Sequence, residues 1–161
     1  MLDARAYGRE LRPLLGQAAA YARALLRSRH DAEDAVQQAA LRAWERIAQY
    51  DERRPFKGWW FAVLRNCCFD LQRRNITWKT ISLEGVALPE REEAEAADWE
   101  CLEAGIRGLP AAHQEVLYLK YYGALSYREL AEALGIPIGT VMSRLHLARK
   151  ALAAQLRAET R

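Results

Sequence analysis

The chain has 161 residues, of which 51% are hydrophobic and 28% charged, a composition typical of a packed globular protein. It contains no apolar run long enough to cross a membrane and no signal-peptide pattern at its N-terminus, so we expect a cytoplasmic protein without membrane insertion. The three cysteines, Cys67, Cys68 and Cys101, do not make a disulfide framework, and we expect them to be small buried residues.

The charges fall into three blocks. Residues 1–74 hold 14 Lys/Arg against 9 Asp/Glu, residues 75–107 hold 3 against 8, and residues 108–161 hold 7 against 4. Two basic blocks on either side of an acidic one fit two polyanion-binding domains on a connector that avoids polyanions.

Two helical patterns open the chain. Apolar residues at helical spacing predict a helix from Leu11 to Leu26. A second helix is predicted from the acidic turn at Asp31 to about Tyr50. Its expected buried stripe is Val36, Ala40, Ala43, Trp44 and Ile47. Its other face carries a leucine among polar groups, namely Asp34, Gln37, Gln38, Leu41 and Glu45. A solvated surface and a protein-docking face both fit this second pattern.

The stretch 57–74 interleaves aromatic, basic and amide side chains on a third helix. The expected buried stripe is Trp60, Val63, Leu64, Cys67 and Leu71. The remaining surface carries Lys57, Trp59, Arg65, Asn66, Phe69, Arg73 and Arg74. Single-stranded DNA binding requires rings on which bases stack and cations that contact phosphates, so this pattern favours a surface for single-stranded DNA. The alternative interpretation is that the aromatic residues belong to the core. At least one of three consecutive aromatic residues at 59–61 must be buried, because three neighbours cannot share one face of a helix.

The pattern breaks after Asn75, where Gly85, Pro89 and an acidic run predict a linker. Helices are then predicted from near Asp98 to Gly108 and over residues 111–121. We therefore expect an all-α protein with two small helical domains, residues 1–75 and 98–161, joined by an acidic linker at 76–97.

The stretch 125–145 predicts a helix-turn-helix in the second domain. Ser126 and Glu129 form a capping-box pattern at the start of its first helix, and Gly135 is placed to end that helix in a left-handed turn. On the second helix, three apolar residues at helical spacing point inward, namely Val141, Leu145 and Ala148. The outward set is Thr140, Ser143, Arg144, His146 and Lys150. This arrangement is typical of a helix-turn-helix that reads DNA, and an ordinary helical hairpin is the alternative.

The sequence does not indicate an enzyme. The three histidines, His30, His113 and His146, lie in separate patterns, and none is joined to a local Ser, Cys or Asp in a catalytic arrangement. The spacing of the cysteines matches no common zinc site. We therefore expect no enzymatic activity, no metal site and no cofactor.

Three ordered blocks resemble the extracytoplasmic-function (ECF) sigma factors of bacterial RNA polymerase, members of the sigma-70 family. The blocks are DAEDAVQQAALRAW at 31–44, FKGWWFAVLRNCCFDLQRR at 56–74, and LSYRELA followed by GTVMSRLHLAR within 125–149. The resemblance implies an N-terminal domain that melts and reads the minus-ten promoter element. It also implies a C-terminal domain that reads the minus-thirty-five element, and an acidic linker that threads through the nucleic-acid channel of the polymerase.

The resemblance implies core RNA polymerase and promoter DNA as partners, together with an anti-sigma factor that masks both domains. The residues expected to bind the polymerase are Asp34, Gln37, Gln38, Leu41 and Glu45. Those expected at the minus-ten element are Lys57, Trp59, Arg65, Asn66, Phe69, Arg73 and Arg74. Those expected at the minus-thirty-five element are Arg128, Thr140, Ser143, Arg144, His146 and Lys150.

The chain departs from the family pattern at two positions of the second helix of the helix-turn-helix. Met142 and Leu147 stand where relatives often have a basic residue, so this helix is less basic than is usual in the family. The alternative function is a stand-alone helix-turn-helix repressor. A repressor would account for the last third of the chain but would leave the aromatic and basic helix at 57–74 without a role.

Overall fold

A computed structural model describes residues 1–79 and 93–160. These residues form eight α-helices and two short 3-10 turns, and no strand occurs among them, which confirms the predicted all-α class. The helices are α1 (Ala4–Leu11), α2 (Leu15–Leu26), α3 (Arg29–Glu45), α4 (Phe56–Lys79), α5 (Glu93–Arg107), α6 (Ala111–Tyr121), α7 (Tyr127–Leu134) and α8 (Ile138–Glu159). Both ends of the predicted linker are helical, since α4 continues to Lys79 and α5 begins at Glu93, and the remainder of the linker lies outside the described residues.

The first predicted helix begins later than the apolar spacing indicated. A 3-10 turn over Arg12–Leu14 contains Pro13, and α2 starts only at Leu15. Proline lacks the N–H that a continuous helix would need at this point, so the chain is divided into α1 and α2. Arg27 then ends α2 in a left-handed conformation with φ of 57°.

The buried side of α3 is an alanine stripe, which agrees with the prediction only at Ala43. Its buried residues are Ala32, Ala35, Ala39 and Ala43. Ile47 is buried as predicted, but it lies in a 3-10 turn over Ile47–Gln49, because α3 ends at Glu45 and not near Tyr50. By contrast, Val36 and Ala40 are half-buried, and Trp44 is 39% exposed. Alanine allows neighbouring helices to approach closely, so the narrow side of α3, and not its largest apolar residues, faces α2 and α4.

Helix α4 lies at the centre of the molecule, with α2 and α3 against one part of its surface and α7 against another. The predicted buried stripe is confirmed, and Phe61 and Cys68 are buried as well. Burial raises the pKa of the Cys68 thiol to about 12. The expectation of a buried cysteine is wrong for Cys101, which is exposed on α5 with its Sγ 3.6 Å from Oε2 of Glu159.

Helices α5 to α8 form the second half of the described fold. Its core consists of fully buried side chains from α6, α7, α8 and the loop between α6 and α7, namely Val116, Leu117, Leu119, Leu125, Leu130, Val141 and Leu145. Among the described helices, none combines the length and hydropathy that a membrane span requires.

Candidate nucleic-acid and polymerase interfaces

The helix-turn-helix is formed by α7 and α8, and the predicted capping residues act as expected. The Ser126 hydroxyl accepts a hydrogen bond from the Glu129 N–H at 3.2 Å, and the Glu129 carboxylate accepts one from the Ser126 N–H at 2.7 Å. Gly135 adopts a φ of 64° and its N–H donates to the Ala131 carbonyl. Both ends of α7 are therefore fixed by local hydrogen bonds, and these set the angle at which α8 leaves the turn.

The outward face of α8 is open to solvent. Of the predicted reading residues, Ser143, His146, Lys150 and Arg128 are exposed, whereas Thr140 and Arg144 are half-buried. The exposed Ser143 hydroxyl donates to the Thr140 carbonyl at 3.1 Å, and a hydroxyl oxygen that donates in this way can still accept a hydrogen bond. The opposite side of α8 is buried through Val141, Leu145 and Ala148, as predicted.

An aromatic and cationic cluster beside the helix-turn-helix was missed by sequence reasoning. The Arg149 Nε donates to the Tyr121 hydroxyl at 2.9 Å, and this hydrogen bond is the main reason why the pKa of Arg149 is raised. The Lys120 ammonium lies 5.1 Å from the centre of the Tyr127 ring. These residues come from three helices, and Tyr121 and Arg149 are 28 positions apart, so no local pattern connects them.

The predicted single-strand surface of α4 is divided by the structure into an open part and an engaged part. Asn66, Arg73 and Arg74 are exposed, and the Phe69 ring is half-buried with the Arg65 guanidinium 4.8 Å from its centre. Trp59 packs instead on Tyr50, with ring centres 4.8 Å apart. Trp59 is therefore part of an aromatic cluster at the start of α4.

The engaged part of α4 contacts the second half of the molecule. Arg65 donates from Nε and Nη2 to Oε1 of Glu115 on α6, at 2.9 and 2.6 Å. Lys57 donates from Nζ to the Ala124 carbonyl at 2.9 Å, and burial lowers its pKa. Two of the cations predicted to bind DNA, Lys57 and Arg65, are thus paired with the second half of the molecule, and a third, Arg73, is paired with Asp70 on α4 itself.

Two further features hold the halves together. Arg54, in the loop before α4, forms an ion pair with Glu132 of α7 at 2.5 Å. Gly58 of α4 lies against α7 so closely that a Cβ there would be 2.7 Å from the Glu132 Cβ and 2.8 Å from the Glu129 carbonyl oxygen. The close approach of α4 and α7 therefore depends on a residue without a side chain.

The loop before α4 is held in a defined conformation. The Asp51 carboxylate accepts hydrogen bonds from the side chain and backbone of Arg53, which lower its pKa to about 2. The Tyr50 hydroxyl donates to the Arg54 carbonyl at 2.7 Å. Between this loop and the start of α7 lies an open cleft of about 310 Å³ lined by Arg53, Arg54, Pro55, Ser126, Arg128 and Glu129.

The predicted polymerase face lies on the side of α3 away from its alanine stripe. Leu41 is 66% exposed, Gln37 and Glu45 are exposed, and Asp34 and Gln38 are half-buried. Arg42 of α3 donates to Asp70 of α4 at 2.9 Å and so links the two helices. Arg73 donates to the same carboxylate, and the hydrogen bonds from Arg42 and Arg73 lower the pKa of Asp70.

Comparison with known proteins decides the family. The family model for sigma-70 region 2 matches residues 10–76, and that for sigma-70 region 4 matches residues 99–152. The ECF RNA polymerase sigma factor SigW of Bacillus subtilis (strain 168) is 33% identical over 144 residues, which cover 80% of this chain and 76% of SigW. The chain belongs to the ECF sigma factors. Its resemblance to them is confirmed, and proteins of this family direct RNA polymerase to promoters.

A further relative and two solved structures support the same family. SigL of Mycobacterium tuberculosis (strain H37Rv), also an ECF sigma factor, is 37% identical over 139 residues, covering 82% of this chain and 78% of SigL. Two solved structures align with this sigma factor over both halves. CnrH in complex with the cytosolic domain of CnrY has a TM-score of 0.73 and 26% identity, covering 97% of this chain and 90% of CnrH. RpoE in complex with the anti-sigma factor NepR from Bartonella quintana has a TM-score of 0.75 and 25% identity, covering 96% and 98%.

Proposed function

We propose that this sigma factor docks on core RNA polymerase through the outward face of α3 and brings two DNA-binding units to one promoter. The unit at 1–75 holds the melted minus-ten element, and the unit at 98–161 reads the minus-thirty-five element in duplex form. The acidic segment at 76–97 connects them, and the protein acts in the cytoplasm together with the polymerase. The observation that carries this proposal is the solvent-open outer face of α8, held in place by the hydrogen-bonded ends of α7.

The melted strand is held on the open face of α4. Asn66 offers an amide for base edges, Phe69 offers a ring for stacking, and Arg74 lies two turns beyond Asn66 as a partner for phosphates. Arg73 beside it is exposed but ion-paired with Asp70, so it would have to exchange that partner for a phosphate. Aromatic side chains supported by cations bind single strands with little dependence on sequence, and the amide adds base recognition.

The docking face of α3 is centred on Leu41. It is surrounded by the polar residues Asp34, Gln37, Gln38 and Glu45, and Trp44, 39% exposed, adds apolar area close to it.

The packed arrangement of the two halves is a closed form of the chain. In it, Arg65 and Lys57 are bound to Glu115 and Ala124 and are not available to DNA. We expect the halves to separate when the polymerase is bound, because both units must then contact DNA at two distinct promoter elements. An anti-sigma factor, the type of partner in the RpoE–NepR complex, would act by stabilising the closed form.

The experiment is transcription in vitro with purified core polymerase from a related bacterium. Added sigma factor should direct initiation at defined start sites, and Leu41→Glu should abolish initiation while the helical content remains unchanged, since a buried charge opposes docking. Leu15→Glu is the matched control, because Leu15 is 40% exposed and lies outside the proposed surfaces. Tight specific DNA binding without polymerase, together with no stimulation of initiation, would instead support a stand-alone repressor.

A further inference from the structure

Two apolar side chains project from the first two turns of α8, the part of a reading helix that enters the major groove. Ile138 is 50% exposed and Met142 is 53% exposed. They are four residues apart and therefore lie one above the other on the same face of the helix. Neither contributes to the buried side of α8, which is made by Val141, Leu145 and Ala148. The fold does not account for their apolar character.

Gly139 lies beside this pair and is also not required by the fold. A Cβ at Gly139 would have nothing within 4 Å, and its φ is not in the left-handed region, in contrast to Gly135 with its φ of 64°. Glycine is destabilising relative to alanine by about 1 kcal/mol in a helix interior, and by less in the first turn, where Gly139 lies. One physical reason to keep glycine at such a position is the close approach of another molecule to the helix backbone. Ser143, four residues further on, continues the same strip of small side chains.

The side chains on this face of α8 fit DNA better than a protein helix. An apolar groove for a peptide or helix requires anchors over several turns, at spacings of three, four and seven residues. Here the apolar strip ends after Met142, because Leu145 is buried and His146 is polar and exposed. Ile138 and Met142 are two apolar side chains next to the small residues Gly139 and Ser143, and the cation Lys150 lies further along the helix. Such a surface is suited to a small apolar group on an anionic molecule. The thymine C5-methyl group is such a target on the major-groove edge of the bases.

We propose that Ile138 and Met142 are specificity-determining residues that contact thymine methyl groups in the minus-thirty-five element, and that Gly139 and Ser143 let the helix backbone approach the base edges. This inference rests on the proposed function of α8. The proposal adds Ile138, Gly139 and Met142 to the polar residues that the sequence predicts for this face. It also implies that this sigma factor prefers thymine at positions where a basic side chain at 142 would favour guanine.

The test removes single methyl groups from DNA. Start sites are first mapped with the complete sigma factor and core polymerase, and each thymine of the minus-thirty-five region is then replaced in turn by deoxyuridine, which lacks only the methyl group. With wild-type protein, promoter binding should weaken about fourfold at one or two positions, the effect expected for one buried methyl. With Met142→Ala or Ile138→Ala, the sensitivity should disappear at the position that the residue contacts.

Leu15→Ala is the matched control. Leu15 is an apolar residue that is 40% exposed on α2, outside the proposed DNA-binding and docking surfaces. This variant should retain the wild-type sensitivity to deoxyuridine. A second measurement uses Gly139→Ala, which should raise the thermal unfolding temperature because of better helix propensity and yet weaken promoter binding.

The outcomes separate this inference from the proposed function. Absence of initiation with core polymerase would overturn the proposed function, and this inference with it. Initiation without any deoxyuridine-sensitive position would overturn this inference alone. The same conclusion would follow if Met142→Ala and Ile138→Ala weakened binding equally on thymine and deoxyuridine promoters, since the side chains would then contact something other than the methyl groups.

Discussion

Arg65 of α4 and Glu115 of α6 form a contact in which two guanidinium nitrogens reach one carboxylate oxygen, at 2.9 and 2.6 Å. The pair joins the unit expected to hold the minus-ten strand to the unit that contains the helix-turn-helix. Its two side chains retain only 25% and 21% of their exposure, so water screens the pair weakly. The Glu115 carboxylate is therefore paired, within the chain, with a cation that we expect to contact DNA phosphates.

The first prediction is that Glu115→Gln makes Arg65 available. Loss of the carboxylate charge weakens the closed form, and a single-stranded oligonucleotide with the minus-ten sequence should bind the chain alone about threefold more tightly or better. Fluorescence anisotropy measures the affinity, and small-angle scattering should show a larger radius of gyration. The double variant Arg65→Gln with Glu115→Gln should lose the gain in affinity. An unchanged affinity and radius in Glu115→Gln would show that this pair does not hold the halves together.

The second prediction concerns the close approach of α4 and α7. In Gly58→Ala the new methyl would meet the Glu129 carbonyl oxygen at 2.8 Å, and a backbone atom in a helix cannot move aside cheaply. The free energy of unfolding should fall by about 1–3 kcal/mol, as measured by urea denaturation. Gly16→Ala in α2 is the control, because nothing lies within 4 Å of its Cβ position, and it should be neutral or stabilising. Equal stability of the two variants would contradict the close packing at Gly58.

The helix-turn-helix could be predicted from the sequence because its determinants are local. The cap at Ser126, the capping-box partner Glu129 and the left-handed Gly135 lie within ten consecutive residues, and each acts through its neighbours in the chain. The buried stripe of α4 could also be predicted, because its large apolar residues recur at helical spacing along one face of the helix.

The errors and omissions come from tertiary packing. On α3, hydrophobicity favoured Val36 and Trp44 as core residues, but close helix approach placed Ala35 and Ala39 there. The contacts between the halves join residues far apart in sequence, 50 positions in the case of Arg65 and Glu115, and two charges give no local sign that they will pair. The sequence therefore indicated both units but not the packing between them.

The third prediction concerns the acid stability of the α3–α4 contact. Hydrogen bonds from Arg42, and secondarily from Arg73, hold the pKa of Asp70 below its ordinary value of 3.8. Since the folded pKa is lowered, the stabilisation is present above about pH 4 and is lost as the pH falls through the folded pKa. Unfolding midpoints in urea, measured from pH 6 downward, should therefore show a shallower acid loss in Asp70→Asn than in the wild type. Arg42→Gln should reduce the acid loss more than Arg73→Gln, and an Asp70→Asn profile parallel to that of the wild type would contradict this assignment.

The last prediction separates melting from folding on the open face of α4. Asn66 is exposed beside the Phe69 ring, so Asn66→Ala removes a base-edge partner without disturbing the core. Because a base must leave the duplex before this amide can bind it, the captured base lowers the free energy of the melted state. Transcription from a duplex promoter should therefore fall by about tenfold, the effect of one lost hydrogen bond that includes its desolvated partner. A promoter with a pre-melted minus-ten region already has the strands apart, and part of the loss should be recovered on it. Thermal unfolding of Asn66→Ala should match the wild type. An equal loss on duplex and pre-melted templates, with the unfolding temperature unchanged, would show that Asn66 does not contribute to strand separation.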